Sequence, residues 1–292
     1  MFAVTGITGQ VGGVVARALL SAGKDVRAVV RSAHKGDAWA ARGCEVALAA
    51  MDDAQALRRA FSGVEGVFVL LPPTFDPSAD LRESRGVVAA LREALQAARP
   101  PRVVCLSTIG AQASQPNLLQ QLSHMERELG ALATSMSMPV AFLRAGWFME
   151  NTVWDIEPAR SSGIIPSYLQ PLNRPVPMVA TADVGRVAAA LLQQAWQGRQ
   201  VVELEGPRRV TPLEIADTLS ALLGRPVAAQ PVPRGTWDAV FRAQGMRNPV
   251  PRMQMLDGFN AGWIGFEAGE AATRKGTVTL RTVLAGLLER GH

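Results

Sequence analysis

The stretch Val4-Thr5-Gly6-Ile7-Thr8-Gly9-Gln10-Val11-Gly12-Gly13 decides how this chain reads. It follows the strand-like run Phe2–Thr5 and opens an amphipathic segment, Gln10–Ser21, that Gly23 closes as a left-handed cap. A pyrophosphate needs unpaired backbone N–H groups and the positive end of a helix dipole, and a glycine turn between strand and helix offers both. Gly6 permits the tight turn, Gly9 lets phosphates approach the backbone, and Gly12 lets the helix pack on the strand.

Working outward, Asp25–Val30 reads as the second strand, and its end runs Val29-Val30-Arg31-Ser32-Ala33-His34-Lys35 with no carboxylate before Asp37. A dinucleotide lacking a 2′-phosphate is usually held here by an acidic residue, whereas a 2′-phosphate is accommodated by arginine. The sequence therefore selects NADP(H), with Arg31 forked onto or stacked over the phosphate and Lys35 as a second positive charge. Asp52 has two readings, a hydrogen bond to the adenine amino group or a cap on the helix that begins near Ala54.

The rest of the first half repeats the strand–helix alternation of parallel βαβ units. Strands are expected at Cys44–Ala49, Val67–Leu71, Arg102–Ser107 and Val140–Leu143, and helices at Ala54–Phe61, Asp80–Ala98 and Leu118–Met136. The fold class is α/β, a doubly wound parallel sheet of Rossmann type with a smaller C-terminal α+β lobe. Residues 1–150 form the dinucleotide-binding domain, to which 183–204 return, while 151–182 and 205–292 build the substrate-side lobe. In that lobe Thr211-Pro212-Leu213-Glu214 forms a capping box before a helix that Gly224 closes, and Arg234–Ala243 reads as a further helix.

Composition narrows the function. The 292 residues carry 30 Lys+Arg against 25 Asp+Glu, a net charge of +5, with 48% hydrophobic and 19% charged residues. That balance is globular, and the arginines are scattered without interleaved aromatics, so no nucleic-acid face is expected. Cys44 and Cys105 stand alone, far from any histidine cluster, which argues against a disulfide framework or a metal site. No apolar run reaches the length of a membrane span and no basic leader precedes the first strand, so a cytoplasmic protein is expected. Oligomeric state is open, a homodimer included.

A second block, Leu143-Arg144-Ala145-Gly146-Trp147-Phe148-Met149-Glu150-Asn151, follows the sixth strand, preceded by His124-Met125-Glu126-Arg127-Glu128 and followed by Leu204-Glu205-Gly206-Pro207. With the glycine turn, Arg31 and Lys35, these segments resemble the NmrA-like family of atypical short-chain dehydrogenase/reductases, from Met1 to about Val227. The resemblance implies an NADP-binding domain, of the kind found in NADPH:quinone oxidoreductases, triphenylmethane reductases and non-catalytic NADP sensors. It further implies that Thr8, Gly9, Gln10 and Val11 hold the pyrophosphate and that Asp52 lies near adenine. Leu70, Leu71 and Pro72, with Ser107 and Thr108, would flank the ribose and nicotinamide.

The chemistry is constrained by two scarcities, one tyrosine (Tyr168) and three lysines (Lys24, Lys35, Lys275). The Tyr-x-x-x-Lys pair of typical carbonyl-reducing relatives is absent, since Tyr168 is followed by Leu169-Gln170-Pro171-Leu172. Hydride transfer to an acceptor with its own electron sink, such as a quinone, a conjugated imine or a triarylmethyl cation, needs no such pair. Orientation and exclusion of water then suffice. Trp147, Phe148, Met149 and Trp154 sit at the carboxyl edge, where such folds bind ligands, and read either as an aromatic acceptor pocket or as interface packing. His124 titrates near neutrality and, with Ser107, is the catalytic candidate, a structural role on its helix being the other reading. The rival function is a non-catalytic NADP(H)-sensing regulator.

Overall fold

The computed structural model describes residues 1–290. Its first half alternates strand and helix: β1 (Phe2–Val4), α1 (Gln10–Ser21), β2 (Val26–Val30), α2 (Ala33–Ala40), β3 (Glu45–Leu48), α3 (Ala54–Phe61), β4 (Gly66–Val69), α4 (Arg82–Ala98), β5 (Val103–Thr108), α5 (Gln120–Ser135) and β6 (Val140–Ala145). Then come β7 (Trp147–Phe148), α6 (Val153–Ser161), β8 (Ile164–Ser167), β9 (Met178–Val179), α7 (Thr181–Leu192) and β10 (Arg199–Glu205). The chain ends with α8 (Pro212–Leu223), β11 (Ala228–Pro231), α9 (Trp237–Ala243), α10 (Val250–Ala261), β12 (Arg274–Lys275) and α11 (Leu280–Arg290).

Eight strands form one parallel sheet in the order β12-β10-β6-β5-β4-β1-β2-β3, with Val4 opposite Ala28 on one side and Phe68 on the other. The order reverses at β1, so β1 and β4 diverge into connections on opposite faces and leave a crevice above their carboxyl ends. The residues of β4 and β6 are buried on both faces, which is why β4 is a continuous apolar run and β6 is one broken only by Arg144. Phe2 and Val4 pack with α1 and α7 on one face, and Ala3 with α3 and α4 on the other. A separate apolar cluster joins Ile109, Leu118, Met149, Ile165, Ile215, Trp237, Phe259 and Leu284 over the carboxyl edge.

Local chemistry accounts for most boundaries. The Thr211 hydroxyl accepts from Glu214 N–H while the Glu214 carboxylate accepts from Thr211 N–H, and Gly224 closes α8 at φ +64°. The structure differs from the sequence reading at three places. Helix α2 follows β2 directly, where the sequence shows only a basic loop; its midpoint Gly36 lies so near Val46 that a Cβ would come within 2.6 Å of that side chain. Helix α7 begins at Thr181, two residues ahead of the return segment 183–204, because the Glu150 carboxylate accepts from the Thr181 N–H. The segment Arg234–Ala243 splits into a single 3-10 turn, Arg234–Thr236, and α9.

Candidate functional site

The glycine turn has the close contacts its spacing requires. Gly6 adopts φ +60°, and its hydrogen faces Leu70, whose side chain would lie 2.6 Å from a Cβ. At Gly12 a Cβ would fall 2.3 Å from the Gly6 carbonyl oxygen, so any larger residue would push α1 off β1. Gly9 N–H donates to the Gly6 carbonyl at 2.9 Å, and Gly9 is the N-cap of α1 with no side chain capping the helix. The N–H groups of Gln10, Val11 and Gly12 therefore have no intrahelical acceptor, and Thr8, Gly9 and Gln10 are exposed. Thr5 fixes the turn to the neighbouring strand: its hydroxyl donates to the Phe68 carbonyl at 3.1 Å and accepts from Leu70 N–H at 3.2 Å.

The end of β2 is equally open. Arg31 and Lys35 are exposed, and neither has an ion-pair partner among the described residues. They bracket the start of α2, whose N-cap residue Ser32 makes no side-chain cap, so backbone donors and two cations converge there. On the far side, Asp53 rather than Asp52 caps α3, accepting from Ala56 N–H at 2.9 Å. The capping reading of Asp52 is thereby removed, because the helix already has its acceptor, and Asp52 remains exposed. These residues fit a 2′-phosphorylated dinucleotide: an uncapped helix end lies at the pyrophosphate position and unpaired cations at the phosphate position.

Along the carboxyl edge, Leu70 and Leu71 are half-buried and Pro72 is exposed. Ser107 is 3% exposed and donates to Glu126 Oε1 at 2.6 Å. The same carboxylate accepts from Arg144 Nε (2.9 Å), Arg144 Nη2 (2.8 Å) and Arg199 Nη2 (3.0 Å). With two guanidinium groups donating to the same carboxylate, the Ser107 hydroxyl is committed to donating to it as well. Thr108 is half-buried, with its hydroxyl turned to the Ile109 carbonyl at 3.2 Å. On α5, His124 accepts through Nδ1 from Arg127 Nη2 at 2.7 Å, and burial, with Arg127 and Arg85 beside it, draws its pKa below the ordinary value. The imidazole is accordingly neutral at pH 7, with its proton on Nε2. Glu128 is its acidic neighbour at 4.0 Å and is itself tied to Arg92 on α4.

The four aromatic-block residues diverge. Trp147 meets Phe259 edge to face, with centroids 5.1 Å apart, and Met149 is buried in the same cluster. Phe148 packs instead on the sheet cluster, and Trp154 is 82% exposed on α6. The structure thus brings Trp147 and Met149 together and leaves Trp154 apart. Sequence reasoning missed the role of Glu150, whose carboxylate accepts from Thr181 N–H at 2.9 and 3.0 Å and from its hydroxyl at 2.6 Å. The Thr181 oxygen also lies 3.4 Å from the Gln10 amide oxygen, linking this block to the glycine turn. The Glu126–Arg144 pair was missed as well; an arginine inside a buried strand is its one sequence signal. Beyond α5, a cleft of about 500 Å³ is lined by Ser123, Glu126, Arg127, Arg144, Arg199 and Glu267, three strands removed from β1.

A doubly wound parallel sheet with an open glycine turn at its switch point defines a dinucleotide-type α/β fold. The chain belongs to the NmrA-like family, whose model matches residues 1–258. It is 30% identical over 228 residues to the NAD(P)H azoreductase of Xenophilus azovorans, covering 78% of this chain and 75% of that protein. It is 32% identical over 227 residues to a (4-alkanoyl-5-oxo-2,5-dihydrofuran-3-yl)methyl phosphate reductase of Streptomyces griseus, at 78% and 75% coverage. Among solved structures, the Escherichia coli NADPH-dependent quinone oxidoreductase complexed with NADPH superposes with a TM-score of 0.79 at 24% identity, over 98% of this chain and 99% of that one.

Proposed function

We propose that this protein is an NADPH-dependent oxidoreductase that delivers hydride to conjugated small-molecule acceptors, quinones first. The observation that carries the reading is the pairing of an uncapped α1 terminus with exposed, unpaired Arg31 and Lys35 at the end of β2. Thr8 to Val11 hold the pyrophosphate through backbone N–H groups, Arg31 and Lys35 hold the 2′-phosphate, and Asp52 stands beside the adenine. Leu70, Leu71, Pro72, Ser107 and Thr108 line the ribose and nicotinamide, and bound NADPH supplies a hydride there. Residues 1–150 and 183–204 carry the cofactor, while 151–182 and 205–290 close over the acceptor.

The reduction proceeds without a Tyr/Lys pair. Tyr168 is the only tyrosine and packs on Trp237 and Phe241, and Lys275 is bonded to the buried Glu205. The relatives are named as reductases of an azo compound and of an unsaturated lactone, both acceptors with a conjugated electron sink. Trp147, Met149 and Phe259 provide an apolar wall that orients such an acceptor and excludes water. His124, neutral at pH 7, can donate from Nε2 but holds no charge to stabilise an oxyanion. With Ser107 committed to Glu126, the reduced acceptor takes its proton from solvent.

Purified protein titrated with NADPH and NADH, then assayed with quinones, azo compounds and triarylmethane dyes, tests the proposal. Tighter NADPH binding and steady NADPH consumption with at least one acceptor class are expected. Equal or tighter NADH binding overturns the cofactor assignment, and tight NADPH binding without turnover of any acceptor identifies a regulator.

A further inference from the structure

Arg252 occupies the first turn of α10, next to Pro251, whose carbonyl accepts from Leu118 N–H at 2.9 Å. Just before it, Asn248 and Arg247 donate their N–H groups to Asp76 at 2.7 and 3.0 Å. Helix α10 therefore starts directly against the connections leaving β4 and β5, the same connections that border the crevice. Most neighbouring arginines on this side are neutralised: Arg234 forks onto Asp257 and Arg242 pairs with Asp238.

Arg252 has no carboxylate within ion-pair reach among the described residues. Its guanidinium carbon lies 4.4 Å above the Phe241 ring, and Nη1 is 3.6 Å from the Met246 sulfur. A ring face and a thioether satisfy little of a five-donor fork. The side chain is half-buried, and burial draws its pKa down. The Tyr168 ring packs on the same Phe241 ring, with centroids 5.1 Å apart, and Arg252 and Tyr168 interact electrostatically. A cation and a phenol thus share the Phe241 ring, with no carboxylate in ion-pair reach of the guanidinium among the described residues.

We infer that Arg252 and Tyr168 form an anion subsite for a sulfonate, carboxylate or phosphate group carried by the acceptor, so that the preferred substrates are acidic conjugated compounds. A planar guanidinium matches such groups through two parallel hydrogen bonds, and the phenol supplies a third donor. The acceptor half of this statement rests on the reductase reading; the anion site does not.

Calorimetric binding of naphthalene-2-sulfonate, 2-naphthalenemethanol and inorganic sulfate tests the subsite without turnover. The sulfonate is expected to bind at least tenfold tighter than the alcohol and than sulfate. Arg252→Met is expected to bring the sulfonate-to-alcohol ratio near one, Arg252→Lys to keep an intermediate ratio, and Tyr168→Phe to lower it a few-fold. A ratio near one in the parent protein, or a ratio that survives Arg252→Met, overturns the proposal; sulfate binding as tightly as the sulfonate overturns its acceptor half. Should Arg252→Met not fold, the Arg252→Lys ratio decides. A second arm compares kcat/KM for 1,2-naphthoquinone-4-sulfonate and 1,2-naphthoquinone, and the parent's preference is expected to fall tenfold in the variant. If neither quinone nor any azo compound or dye is reduced while sulfonate binding still depends on Arg252, the reductase reading fails and the subsite stands. If both are reduced with a ratio indifferent to Arg252, the subsite fails and the reductase reading stands.

Discussion

Arg31 sits at the one place in the sequence where a single charge separates two cofactors. Replacing it with serine is expected to weaken NADPH binding about tenfold to a hundredfold, the range for one or two charge-assisted hydrogen bonds, and to leave NADH binding nearly as it was. Parallel titrations with the two nucleotides measure this. Asp155 is the opposite case, a carboxyl in α6 that no described residue hydrogen-bonds and whose pKa burial pushes up to about 7. Its folded-state pKa exceeds the unfolded value, so the folded protein holds the proton longer. The associated stability is complete below about pH 4 and is lost as pH rises to about 7. Asp155→Asn is expected to melt at the parent's temperature near pH 4 and to be more stable by about 2 kcal/mol at pH 8, measured by denaturant titration across that range.

At the scale of elements, the α1–α7 pair depends on a carboxylate from a third segment. Glu150 accepts from the Thr181 N–H and hydroxyl at the start of α7 and holds Thr181 beside Gln10, so Glu150→Ala leaves the Thr181 N–H unsatisfied. A loss of about 2 kcal/mol is expected in chemical unfolding, with a several-fold weaker NADPH affinity because Gln10 begins the phosphate-facing helix. Elements whose signals are local were legible: the glycine turn, the capping box of α8 and the buried strands all announce themselves within a few residues. Helix α2 did not, because eight residues with a central glycine carry little amphipathic pattern, and its reason for being helical is contact with Val46 on β3. The Ser107–Glu126–Arg144 cluster was equally hidden. Its partners lie 19 and 18 residues apart and meet only when α5 folds back across β5 and β6. The cofactor half of the candidate site could be read because it is one contiguous turn and one strand end; the acceptor half brings together Trp147, Tyr168, Phe241 and Phe259 from segments far apart in the chain.

The whole molecule is closed by residues 267–278, which lie along β10 and α7. Glu203 accepts from the N–H groups of Glu267 and Ala268, and Asp183 accepts from those of Thr277 and Val278. Between them Glu205, 0% exposed, takes Lys275 and Arg209. Lys275→Met is expected to cost about 3 kcal/mol in unfolding free energy, since a buried carboxylate would keep only one of its two cations. The same strap dictates an order of assembly. During synthesis the sheet strands up to β10 emerge with Asp183, Glu203 and Glu205 beside Arg186, Arg144 and Arg209, but their partners in the strap arrive only some 60 to 95 residues later. Until then the three carboxylates lack the strap's N–H donors and Lys275, and the outer edge of the sheet cannot settle. That edge therefore settles only after residues 267–278 have been made, and a message truncated ahead of Lys275 would yield a product left to chaperones and proteases.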